Sequence, residues 1–275
     1  MAITNFITSV WSETLLNSLE KEYVAVRNCN REFEGDIKAV GDSVKVCAVS
    51  KVDLFPYIKN SDLQDPQVLD DKAVRISADR ARAFNFQIDD IDKAQSVPSI
   101  MRSAMRQAAS ALANDADSYV FGNYVNIGTE NTIKNEAATA ENIIDTMIAV
   151  REKMLTNNIN SNTETVLEVS PAVASLILKA QITTLSNNAD AIYNGYLGSF
   201  IGFDIYVSNN IAEEDVFYKC FARTKRAIAF VEKIKSIVAY RPENRFADAV
   251  KGLYLYGTKI IYPEEIVLVD LKPAV

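Results

Sequence analysis

Residues 97–122, VPSIMRSAMRQAASALANDADSYVFG, form the longest unbroken helical pattern in the chain. Pro98 suits a first helical position, where its missing N–H costs nothing. Gly122 suits the exit, where a left-handed residue commonly ends a helix. Between them Met101, Ala104, Met105, Ala108, Leu112, Ala116, Tyr119 and Val120 keep the 3.6-residue period, and Arg102, Arg106, Gln107 and Asp117 fall outside that stripe. The pattern predicts one buried face on a helix of roughly 36 Å, long enough to cross a small domain.

Upstream, residues 43–93 read as extended chain. Val44, Val46 and Ala48 alternate with Ser43, Lys45 and Cys47, and Phe84, Phe86 and Ile88 alternate with Asn85, Gln87 and Asp89, the period of half-buried strands. These two strands are expected to flank an excursion at 57–72, YIKNSDLQDPQVLDDK, which is polar and too long for an ordinary loop inside a compact domain. Phe55, Pro56 and Tyr57 at its base call for a covering surface.

Downstream, residues 126–135 are a polar link. Thr139 is the expected N-cap of a second helix with Ile143, Ile144, Met147, Ile148, Met154 and Leu155 on one face. A short strand at 165–169 runs into Ser170-Pro171, an N-cap followed by a first-turn proline, which launches a third helix. Gly195, Gly198 and Gly202 precede an alternating strand at 203–207, and from Arg226 the chain alternates strands with short breaks: AIAFV, SIVAY, GLYLYG, KIIYP and EIVLVDL. The middle α/β layer is therefore expected to be inserted between the parts of one outer domain, with the closing strands forming a single sheet under the long helix.

At the N-terminus Trp11, Leu15, Leu19, Tyr23 and Val26 mark an amphipathic helix. Two readings stand: a docking arm anchored by Trp11, or a helix packed on its own domain.

Composition narrows the function. The 275 residues carry 29 Lys plus Arg against 36 Asp plus Glu, a formal charge of −7, which disfavours binding by phosphate neutralisation but suits a wall that must not grip nucleic acid. Cys29, Cys47 and Cys220 are scattered, as expected of packing thiols in a reducing compartment. The N-terminus lacks a signal-peptide pattern and no run is long enough to span a membrane, so a cytosolic origin is expected. There is no histidine, which removes His-based triads, His-ligated zinc and the usual neutral-pH proton shuttle.

Carboxylates cluster at Glu32, Glu34 and Asp36; at Asp62, Asp65, Asp70 and Asp71; at Asp89, Asp90 and Asp92; and at Glu213, Glu214 and Asp215. They read as solvated loop charge, the alternative being an acid/base pair that converges in a cleft. Arg223, Lys225, Arg226, Lys233 and Lys235 read as partners for nearby acids. Neither G-x-G-x-x-G nor a P-loop is present.

Five segments in order, MAITNF with VWSETLLNSLEK at the start, NREFEGDIKAVGDSVKV at 30–46, YNGYLGSFIGFDIYVSNN at 193–210, YRPENRFADAVKGLYLYG at 240–257 and KIIYP at 259–263, resemble the HK97-type major capsid proteins of tailed bacteriophages, in the P22 coat-like branch. The resemblance implies an α+β fold with an N-terminal arm at 1–42, an extended E-loop hairpin and flanking strands at 43–93 with the loop itself at about 48–84, a P-domain spine helix within 94–127, an A-domain at 128–231 and a returning P-domain sheet at 232–275. It implies a non-enzymatic shell subunit that assembles through pentamers and hexamers into an icosahedral capsid around double-stranded DNA. An encapsulin-like compartment is the alternative and a carboxylate-dependent hydrolase a remote one. No catalytic, cofactor or metal residue is assigned. The candidates for contact between subunits are Trp11, Leu15, Leu19, Phe55, Pro56, Tyr57 and Lys59. The implied partners are copies of the chain, a portal and a separate scaffolding protein, the last because the chain opens on the arm without a helical leader. No membrane is implied, and the place is the virion, after assembly in the host cytoplasm.

Overall fold

The computed structural model describes residues 15, 17–33, 43–49, 54, 56–57, 59, 65, 71–89, 99–160, 162–183 and 196–274. Besides helical residues at 15 and 17–22, the described residues hold three α-helices, α1 (Ser99–Phe121), α2 (Ile143–Thr156) and α3 (Pro171–Thr183), which follow the periodic segments. The strands are β1 (Ser43–Val49), β2 (Asp71–Ser77), β3 (Arg80–Asp89), β4 (Thr132–Ala138), β5 (Thr165–Val169), β6 (Tyr196–Phe200), β7 (Phe203–Val207), β8 (Glu213–Glu214), β9 (Phe217–Thr224), β10 (Ile228–Tyr240), β11 (Ala247–Ile260) and β12 (Ile266–Pro273).

Helix α1 ends one residue before Gly122, where the chain tightens into a 3₁₀ turn. Its buried face is Met105, Ala109, Leu112, Ala113, Ala116, Asp117, Val120 and Phe121, while Arg102 and Arg106 are exposed. Asp117 corrects the sequence reading, which put it on the wet side. The helix bridges two sheets: Tyr119 meets Tyr256 edge-on at 5.6 Å, and Phe121 meets Phe221 at the same distance. Helix α2 begins with a reciprocal cap, the Thr139 hydroxyl accepting from the Asn142 N–H while the Asn142 side chain accepts from the Thr139 N–H. At α3 the Ser170 hydroxyl accepts from the Val173 N–H, as the Ser-Pro start predicts.

Strands β10, β11 and β3 form one antiparallel sheet in that order. The other large sheet has the order β4-β12-β9-β5-β7-β6, with β8 beside β9. Strand β12 departs from the expected single closing sheet. It runs parallel to β4 and antiparallel to β9, so the chain returns after β11 to fill a central position between them. The reason is burial on both faces: Ile266 to Asp270 are all buried, a run that an edge position would leave wet.

The hairpin also closes earlier than the alternation suggests. Strand β1 pairs with β2, Ser43 opposite Ser77, and the Phe84–Phe86–Ile88 pattern belongs to β3, which pairs with β11 instead. Val44, Val46 and Ile76 pack at the hairpin base against Ala229, Val231 and Ile261. Gly257 makes this docking possible, because a Cβ there would lie 1.9 Å from the Ser77 carbonyl oxygen. Gly257→Ala is expected to lower the unfolding free energy by about 2 kcal/mol, since two backbones must part. An unchanged urea midpoint would show that the hairpin base shifts freely.

Two hairpins of the large sheet turn on residue pairs that both have positive φ, Ile201-Gly202 between β6 and β7 and Asp215-Val216 between β8 and β9. Such turns match the strand twist and favour Asn or Gly. A β-branched residue in this region costs about 1–2 kcal/mol.

Candidate assembly surfaces

The N-terminal segment is built into the subunit by buried polar groups. Asp117 of α1 accepts from three successive backbone N–H groups, Val24 at 2.9 Å and Ala25 and Val26 at 3.0 Å each. From the opposite side Arg223 of β9 donates to the carbonyls of Ala25 (3.0 Å) and Asn28 (2.6 Å) and makes a two-pronged pair with Glu168 of β5 at 3.0 and 2.8 Å. The Asn28 amide donates to the same Glu168. Arg223 and Glu168 are both fully buried, so this network clamps the chain and faces no solvent. Beside it Tyr23 and Tyr254 share a hydroxyl contact of 2.7 Å, both donate to Glu232, and Arg31 joins Glu232 to Glu20. Burial pushes the Cys29 and Cys220 thiols up to about 12, which keeps them protonated and inert.

Leu15 and Leu19 correct the sequence assignment of contact residues. Each is 1% exposed, within the same core as Tyr23, Met105 and Leu112. Of the two readings of the N-terminal helix, packing on its own domain holds for residues 15 and 17–22, because α1 and the sheet behind it already supply the apolar surface this stripe needs. Trp11 and Phe55 lie outside the described residues. Pro56, Tyr57 and Lys59 are exposed, as is Leu54 at 94%. Among the acidic groups, Asp89 and Glu213, Glu214 and Asp215 are exposed at strand ends and a hairpin tip. Among the described residues no group of three His, Cys, Asp or Glu could hold a metal ion. Of the cations, Arg223 pairs with Glu168, Lys225 with Glu164 and Arg226 with Glu265.

Several exposed apolar residues escaped the sequence reading. Phe246, at the turn between β10 and β11, is 84% exposed, and Val125 after α1 is 72% exposed. On α2, Ile148 and Leu155 form an outward row, joined by Ile201 from the β6–β7 tip around an open depression of about 470 Å³. The helical period did flag Ile148 and Leu155, but placed them in the core. Among the described residues the chain thus combines exposed positions at Leu54, Pro56, Tyr57 and Lys59 with exposed apolar residues at Val125 and Phe246 and an apolar row on α2.

A model of the phage capsid protein family matches residues 72–269, most of the chain. The chain belongs to this family. No curated protein sequence matches it. A solved structure from Mycobacterium phage Che8 is similar over 90% of this chain and 90% of its own, with 25% identity and a TM-score of 0.71. The capsid of cyanophage P-SCSP1u is similar over 93% and 87%, with 16% identity and a TM-score of 0.66. The holo-SrpI encapsulin complex from Synechococcus elongatus is similar over 85% and 83%, with 10% identity and a TM-score of 0.57. The fold is that of HK97-type capsids, and this phage capsid protein is a structural major capsid protein of the virion that assembles with copies of itself into a shell.

Proposed function

We propose that this capsid protein assembles through pentamers and hexamers into an icosahedral shell that encloses double-stranded phage DNA, in the host cytoplasm, with a separate scaffolding protein and a portal, and without catalysing a reaction. The observation that carries this reading is the β1–β2 hairpin, whose base is packed on the subunit while Leu54, Pro56, Tyr57 and Lys59 beyond it are exposed. A subunit gains nothing from an apolar tip in water, whereas a neighbouring copy would cover it through contacts that close into rings. The excess of 36 acidic over 29 basic side chains suits a wall that holds DNA without binding its sequence. In family terms the hairpin is the E-loop and α1 the spine of the P-domain, which β3, β10 and β11 complete. The seven-stranded sheet with α2 and α3 is the A-domain, with β12 added to the residues at 128–231.

Deleting residues 58–70 is expected to leave the circular dichroism spectrum unchanged and to abolish shells in electron micrographs. An unfolded spectrum would place the loop in the core, and normal shells would remove it from assembly. The encapsulin likeness rests on fold alone, and the contents of purified particles separate the two readings: packaged DNA for a phage capsid, protein cargo for a compartment.

A further inference from the structure

The β10–β11 hairpin outruns its own sheet. Its last rung is Tyr240 opposite Ala249, and the last rung that β3 adds beside it is Asp89 opposite Ala247, so residues 241–246, RPENRF, stand beyond every strand that pairs with them. Burial ends within one step, from Ala247 at 1% exposed to Phe246 at 84%. Arg241, Glu243, Asn244 and Arg245 are exposed with it, and Pro242 fixes one backbone angle of the turn, which limits the entropy lost if the tip is held in a contact.

An isolated exposed ring needs no explanation. The charges beside it do. Exposed cations elsewhere in the chain find acids of their own subunit, Arg31 with Glu20, Arg82 with Asp115 and Lys225 with Glu164, and at this tip Arg241 faces Asp248 at 3.7 Å. Glu243 and Arg245 differ: they lie two residues apart with opposite signs, and among the described residues neither makes an ion pair. A nucleic acid would be repelled by Glu243, and a partner of a single sign would leave one of the two charges facing its like. The same tip on a second copy, turned about, sets an arginine against Glu243 and a glutamate against Arg245. The surface is its own complement.

We propose that the β10–β11 tips of neighbouring copies meet at an axis of the shell, Glu243 of each against Arg245 of the next, with the Phe246 rings brought together between them. This rests on the self-assembly reading above. Each tip contributes both members of the ion pair, so the contact closes on itself whether two or three copies share the axis. The ion pairs set register and exclude wrong approaches, while the rings supply the apolar area.

Charge exchange tests it. Glu243→Arg and Arg245→Glu each set like charges face to face and are expected to slow assembly at least tenfold by light scattering. The thermal midpoint of the subunit should not move, because both side chains stand in water. The double variant Glu243→Arg/Arg245→Glu restores the pairing and should assemble within about threefold of the wild-type rate. Asn244→Cys, at an exposed position between the two charges, adds a direct readout. Treated with a short bis-maleimide after assembly, it should give a covalent dimer on a denaturing gel above the background of the wild-type chain, and none from subunits kept unassembled. Single reversals that assemble at the wild-type rate, a double variant no faster than the singles, or shells of Asn244→Cys without the dimer overturn the tip contact and leave the shell reading standing. A wild-type chain that forms neither capsomers nor shells at any salt concentration overturns the shell reading itself.

Discussion

Arg223→Met is expected to lower the unfolding free energy of the subunit by about 3–5 kcal/mol, the cost of leaving one member of a buried ion pair without its partner. Arg223 and Glu168 are 0% exposed, on adjacent antiparallel strands, and meet through two hydrogen bonds. Without the guanidinium, Glu168 keeps only the Asn28 amide and the Asn28 carbonyl loses the Arg223 donor, while the Ala25 carbonyl keeps the Asn28 N–H at 3.1 Å and the Cys29 thiol at 3.3 Å. Glu168→Leu should be about as damaging from the other side. The double variant Arg223→Met/Glu168→Leu should fall well short of the sum, because an apolar pair of similar volume removes the stranded charge, while the Asn28 carbonyl, left without its Arg223 donor, retains a penalty of about 1–3 kcal/mol. Urea midpoints of the four proteins decide it, and strict additivity would mean that the two side chains act independently. Limited proteolysis adds a spatial readout, since loss of the clamp should expose the segment around residues 23–30 first.

How far the sequence was legible depended on whether a residue's partner was local. Helix α1 and the Ser170-Pro171 start were visible because period, cap and proline effects act within one turn. Asp117 was misread because its partners are backbone N–H groups at residues 24–26, which have no signature in the side-chain pattern. Leu15 and Leu19 illustrate the same limit: the stripe showed that they need a surface, and only the fold shows that α1 supplies it. Strand β2 was hidden by its acidic start, so the alternation at Phe84–Ile88 was paired with β1 in its place. The strand character of β12 was plain in EIVLVDL, but its insertion between β4 and β9 joins residues more than 40 and more than 130 positions apart. Glu168 in the run TVLEV carries no local signal of its role, and the reading of Arg223 as a partner for nearby acids holds without naming which acid. Their union at the centre of the molecule is the least legible part of the structure and the one with the largest expected energetic effect.

Asp117 gives the second large effect, a pH dependence with a definite sign. Burial raises its carboxyl from the usual 3.8 to about 6, against the lowering effect of the three backbone N–H bonds, and the nearby Glu168 carboxylate adds to the rise. A carboxyl whose folded value lies above its unfolded value takes up a proton more readily in the native state. Its contribution to stability is therefore complete below about 3.8 and is lost as pH rises through about 6. The difference corresponds to about 3 kcal/mol across that window. Asp117→Asn removes the titration and keeps an acceptor for Ala25 and Val26, which share one oxygen, but turns an amide donor toward the Val24 N–H. The variant should thus be less stable than the natural chain at pH 4, and the gap should shrink by up to about 3 kcal/mol by pH 7 as the natural chain comes to hold a buried charge. Taking the difference between the two proteins cancels the titration of every other carboxylate. Urea unfolding of both at pH 4, 5, 6 and 7 reads the gap directly, and parallel curves would show that the Asp117 carboxyl carries the same charge in the folded and unfolded chain throughout.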